Sequence, residues 1–140
     1  MNAVAASLRR RVDPRPTTAL IALGDLVAIA TFVVVGEITH GVDPVANAAL
    51  VADTYAPFLI GWAVASFAAG LYAGPGRLTR RGVLIRTVPA WVAAALIAQG
   101  LRATELFHGD AAVTFFLVSC LVGGTLLVAW RAVAPTLLDR

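Results

Sequence analysis

Asp25 lies in the stretch ALIALGDLVAIA, Ala19 to Ala30, where every other residue is small or apolar. Leaving a carboxylate near the centre of an apolar membrane helix costs about 2.5–3.5 kcal/mol on insertion scales. Two solutions exist. The side chain can face protein and pair with a cation, or burial can raise its pKa until it takes a proton. Arg86 is the expected partner by depth, and Arg131 closes the last apolar run on the same side. The three residues form a candidate inner cluster. It acts either as an orienting ion pair or as a proton or cation site.

A second constellation belongs to the other side. Glu37-x-x-His40 and Glu105-x-x-His108 share one spacing, which on a helix places both groups on one face. Paired Glu-x-x-His motifs can hold two metal ions in a bundle core. Here both motifs fall at the ends of apolar runs, so a polar cap is the better reading, with Arg102 contacting Glu37 or Glu105 and Gln99 one turn below. No metal is assigned. Asp43, Asp53 and Asp110 stand near this candidate outer cluster.

Trp62 and Trp91 fall inside apolar runs, where they pack or line an aromatic pocket. Cys120 is the single cysteine and reads as packing. No catalytic set emerges. Ser66 and Ser119 have no histidine at their depth, and Gly74-Pro75-Gly76 lacks the lysine and hydroxyl of a phosphate loop. Neither enzymatic activity nor a cofactor is expected.

The elements that carry these residues follow from hydropathy. Of 140 residues, 59% are hydrophobic and 14% charged, and the mean hydropathy is +0.83. A soluble domain is typically about 25% charged. Apolar runs occupy about 17–39, 55–72, 83–106 and 111–130. At about 1.5 Å per residue each can cross a hydrocarbon core of about 30 Å. The expected fold is all-α: an integral membrane four-helix bundle, one four-span domain over 17–140. Gly61, Ala65, Ala68 and Tyr72 on one face, Ser66 with Gly70, and the pairs Ser119-xxx-Gly123 and Cys120-xxx-Gly124 offer close-packing faces. Ala48–Val51 reads as a short interfacial helix, and Pro57 as a first-turn proline.

Residues 1–16 form an Arg-rich tail in which Pro14 and Pro16 stop any helix from running on. The apolar run after it is too long for a signal peptide and no cleavage site follows, so it reads as a retained anchor. All eleven basic residues are arginine, and the net charge is +3. They cluster in the tail, the 73–82 connection and the C-terminal end, while 40–53 has none. The arginine-rich side is expected to be cytoplasmic. An even number of spans puts both termini there, with Arg102 the exception at the far side. This pattern reads as orientation of a multi-pass protein in the cell membrane rather than nucleic-acid binding. The expected partners are the lipid bilayer and a second copy or another membrane protein.

The order of short motifs adds one more reading. Gly24-Asp25, Gly36-x-x-x-His40-Gly41, Pro57-Phe58-Leu59-x-Gly61-Trp62, Leu101-Arg102, and Phe115-Phe116-Leu117-Val118 through Trp130-Arg131 cover nearly the whole chain after the tail. In that order they resemble the family known as domain of unknown function 3054. The resemblance implies four membrane spans and no established activity. It places Asp25, His40, Pro57, Trp62, Arg102 and Arg131 in the family pattern, without extending to Glu37 or Glu105. The expected role is noncatalytic binding or accessory work in the membrane. The alternative is a small transporter or channel subunit that uses Asp25.

Overall fold

The computed structural model describes residues 2–74 and 78–138. Those residues hold helices and no strand. A short α1 (Asn2–Arg11) precedes α2 (Pro16–Thr39), α3 (Ala48–Ala68), α4 (Arg80–Arg102) and α5 (Val113–Leu138). The last four are each long and apolar enough to cross a membrane. The expected four-helix plan is present, with shifted ends and a helical tail.

Each shift has a local cause. Gly70, at φ +67°, follows α3 and lets the chain turn back: Gly70 N–H bonds the Phe67 carbonyl and Leu71 N–H the Ser66 carbonyl. Such a left-handed glycine closure ends a helix. Tyr72 therefore leaves the helix it was expected to finish. Gly41 closes α2 the same way, with Gly41 N–H on Ile38 and Val42 N–H on Glu37. α4 stops at Arg102 rather than 106, and Thr104 Oγ1 takes the Leu101 carbonyl at 2.5 Å. At its other end the Thr79 hydroxyl caps Gly82 N–H at 3.0 Å.

The Ala48–Val51 segment is not a separate helix but the start of α3. Pro57 thus sits inside that helix rather than in its first turn. α5 extends past Trp130 to Leu138, through Pro135. It contains one wide π turn at Ser119–Gly123. Such turns loosen the regular backbone ladder. Here the Ser119 carbonyl accepts the Trp91 indole N–H at 2.8 Å.

The packing is inside-out relative to a soluble bundle. Leu23, Val27, Ile60, Val64, Leu96 and Leu121 are exposed, while Asp25, Arg131, Ser66, Thr87 and Ser119 are buried. Water at the outer faces would oppose this arrangement, and hydrocarbon favours it. Ser66, Thr87 and Ser119 satisfy their hydroxyls on carbonyls one turn back, Trp62, Val83 and Phe115, at 2.5, 2.8 and 2.6 Å.

Four helices meet at an aromatic centre. Phe32 of α2 stands edge-on to Phe58 of α3, with ring centroids 5.3 Å apart. Phe58 stacks on Trp91 of α4 at 5.8 Å and meets Phe115 of α5 at 5.9 Å. Small residues permit the close approach. A Cβ added at Gly61 would lie 2.3 Å from the Ala94 carbonyl oxygen, so α3 and α4 touch backbone to backbone there. A Cβ at Gly123 would strike the Trp91 indole at 2.4 Å.

Candidate functional site

The bundle end that carries Arg11, Arg15, Arg80 and Arg131 holds the inner cluster. Asp25 is completely buried and Arg131 is 4% exposed. Arg131 Nε donates to Asp25 Oδ1 at 3.0 Å and Nη2 to Oδ2 at 2.6 Å, a two-point pairing. Tyr72 Oη donates to Asp25 Oδ2 at 2.5 Å, and Trp62 Nε1 donates to Tyr72 Oη at 2.9 Å. An indole nitrogen can only donate, so it fixes the polarity of this chain. The phenol must accept from Trp62 and give its own proton to Asp25. Both carboxylate oxygens then accept hydrogen bonds. Burial, and next the adjacent Asp25 charge, push the Tyr72 phenol well above its ordinary 10.0. It remains a donor through the neutral range.

The Arg131 guanidinium lies between two rings, 5.7 Å from the Trp62 centroid and 5.1 Å from that of Tyr72. These ring faces offset part of the cost of burying charge. The Trp62–Trp91 pair is closed core, with centroids 6.2 Å apart and exposures of 2% and 1%, rather than an open aromatic pocket.

Arg86 does not reach Asp25. The buried stripe of α4 runs through Thr87, Ala90, Trp91, Ala94, Ala95 and Ala98, and Arg86 lies off it, exposed. Its Nη1 donates to the Ala69 carbonyl at 3.2 Å. Arg11 donates to Ala68 at 2.9 Å and Phe67 at 3.3 Å. Both arginines thus cover free carbonyls at the negative end of α3. Depth alone suggested the Arg86 pairing; facing decides it.

Beside the cluster opens a cavity of about 640 Å³. Ile21, Leu71, Val83 and Ala134 supply apolar wall, and Arg15, Arg80 and Arg131 supply charge. Arg15 is tied to Asp13 at 2.7 Å, and Asp13 N–H bonds the Tyr72 carbonyl at 2.8 Å. The tail is therefore anchored to the turn that carries Tyr72.

The outer cluster assembles differently from expectation. Glu105 lies in the turn after α4 and is exposed, so the second Glu-x-x-His spacing no longer describes one helix face. His40 is exposed and its Nδ1 meets the carbonyl of its own helix, Gly36, at 2.8 Å. Among the described residues no three His, Cys, Asp or Glu are placed to hold a metal. His108 instead turns to α3. Its backbone N–H bonds Asp53 Oδ2 at 2.9 Å, its Nδ1 pairs with the same oxygen, and its Nε2 lies 3.2 Å from Thr54 Oγ1. Thr54 donates to Glu37 Oε1 at 2.6 Å. Arg102 rests on the Phe115 ring at 4.5 Å and makes no ion pair with Glu37 or Glu105 among the described residues. Both amide atoms of Gln99, and Nε and Nη1 of Arg102, are buried without a hydrogen-bond partner. Each such orphan typically costs about 1–3 kcal/mol.

Tyr72, Trp62 as a donor, Thr54 and the cavity arginines were not tied to these sites by sequence pattern. Gly70, two residues before Tyr72, is the one local signal that could have released that tyrosine from its helix.

One family profile matches the chain. The profile described as "Protein of unknown function (DUF3054)" matches residues 22–134. The chain belongs to the DUF3054 family. The matched region runs from just before Asp25 to just beyond Arg131, so it contains the whole ion pair, the aromatic centre and the outer cluster. No curated protein and no solved structure matches the chain. Membership in DUF3054 brings no activity with it.

Proposed function

We propose that this DUF3054 member is a noncatalytic binding protein of the cell membrane, multi-pass, with both termini in the cytoplasm. Its ligand is an amphipathic anion seated at the arginine-rich end of the bundle. The observation that carries this reading is the cavity of about 640 Å³ with apolar walls and Arg15, Arg80 and Arg131 around it, Arg80 being the one of the three in no ion pair among the described residues. An acyl chain or other apolar body suits the walls, and a phosphate or carboxylate suits the guanidinium groups. The excess of arginine at this end supports a cytoplasmic placement. Apolar outer faces on all four long helices support the bilayer as their solvent.

Use of Asp25 as a proton or cation site gains no support from a carboxylate that already accepts three hydrogen bonds.

Thermal unfolding in detergent tests the binding reading. Anionic phosphatidylglycerol and a free fatty acid should raise Tm, and phosphatidylcholine should not. Phosphatidylglycerol alone acting would identify a lipid headgroup, and the fatty acid alone a free carboxylate. Equal stabilisation by the zwitterionic lipid would contradict an anion site.

A further inference from the structure

At the end of the bundle opposite the arginine-rich cavity, α4 finishes with two polar side chains whose needs are unmet. Gln99 is 8% exposed, and its Oε1 and Nε2 lack partners. Arg102, one turn on, has Nε and Nη1 buried and unpartnered. The chain after Arg102 folds over them. A Cβ at Gly109, where φ is +92°, would lie 2.5 Å from Arg102 Nη2, so the loop backbone presses on the guanidinium. Among the described residues, apart from bonds to the adjoining ends of α4 and α5, the loop's hydrogen bonds to other elements come from His108, onto Asp53 and Thr54 of α3. Two orphaned groups thus lie under a loop whose one hydrogen-bonded tie to α3, among the described residues, is His108.

We propose that Gln99 and Arg102 form a binding site for a small monocarboxylate carrying a hydroxyl or amino donor beside its carboxyl group, reached when residues 103–112 lift. The chemistry selects this class. Arg102 offers one positive charge and, with the Phe115 ring against one face of its guanidinium, the unpartnered donors Nε and Nη1 for an anionic oxygen acceptor. Gln99 Nε2 adds a donor. Its Oε1 requires a donor in return, which a bare carboxylate lacks and an adjacent hydroxyl or amine supplies. Glu37, Asp53 and Asp110 place negative charge around Arg102, which opposes a doubly charged phosphate more strongly than a singly charged carboxylate. This site is separate from the amphiphile cavity and stands without it.

Calorimetric titration of the full chain in nanodiscs, with sodium lactate as probe, tests the inference. Lactate should bind saturably. Propionate, of the same size without the hydroxyl, should bind at least about tenfold more weakly, because one buried acceptor stays unpaired. Gln99→Leu removes the orphaned amide. It should leave the unliganded protein at least as thermally stable as the parent while weakening lactate at least about tenfold. That pairing of retained stability with lost binding separates a binding role from a structural one. Hydrogen exchange over 103–112 should slow with lactate in the parent chain only. Lactate binding unchanged in Gln99→Leu would overturn the proposal. Absence of saturable lactate binding, or inorganic phosphate binding as tightly, would overturn it as well.

Discussion

Arg131 grips Asp25 at two points across 106 residues of sequence, joining the last long helix to the first. Neither side chain has appreciable contact with solvent, at 2% and 0% exposure. A pair so buried holds the bundle in one arrangement chiefly because losing either half leaves the other charge stranded.

Substitution should therefore be asymmetric. Asp25→Ala or Arg131→Ala should each lower stability by about 3–5 kcal/mol, since each leaves an uncompensated buried charge. The double change Asp25→Leu with Arg131→Met should recover most of that loss. Chemical denaturation in mixed micelles reads all three. Additive losses in the double variant would show that the two residues do not act as a pair.

Tyr72 predicts an alkaline limit. Its phenol is held above its ordinary 10.0 by burial and by the neighbouring Asp25 charge. A group whose folded pKa is raised contributes stability that is complete below the unfolded value and lost as pH rises toward the folded one. Tm should hold up to about pH 10 and fall above it. In Tyr72→Phe the neutral-pH Tm should be lower, by the loss of about 1–3 kcal/mol of hydrogen bonding to a charged group, and the alkaline fall should be shallower. A parallel pH profile in the two proteins would remove Tyr72 from the account.

Gly61 and Gly36 make a matched pair. A Cβ at Gly61 meets the Ala94 backbone at 2.3 Å, while one at Gly36 meets nothing within 4 Å. Gly61→Ala should force α3 from α4 and cost about 1–3 kcal/mol or more. Gly36→Ala should be neutral or stabilising by up to about 1 kcal/mol. The same denaturation assay compares them, and equal effects would argue against the close crossing.

The four apolar helices were plain in the sequence because lipid-length hydropathy runs need no tertiary knowledge. The presence of a partner for Asp25 was legible for the same reason: a carboxylate at that depth demands a cation. Which arginine answers was not. Arg86 and Arg131 match in depth, and only the direction each faces around its own helix separates them. Tyr72 was hidden by a helix expected to run two residues past Gly70. His108 was paired by spacing with Glu105, but α4 ends at Arg102, so that spacing carries no geometry. The cavity was out of reach, because its arginines come from the tail, the third membrane-length helix and the last one.

Orientation is open to a direct check. Reporter fusions at either end, active only in the cytoplasm, should both be active, as the arginine distribution requires. A reporter active at one terminus alone would contradict an even number of spans.

The most direct test of the central claim is native mass spectrometry of the protein released from membranes, beside Arg80→Ala. Arg80 borders the cavity and is exposed, so its loss should leave the fold intact. The parent chain should retain one anionic amphiphile through detergent exchange, and Arg80→Ala should retain markedly less at unchanged Tm. A parent chain released bare, or equal retention by both proteins, would contradict an anion site at the arginine-rich end.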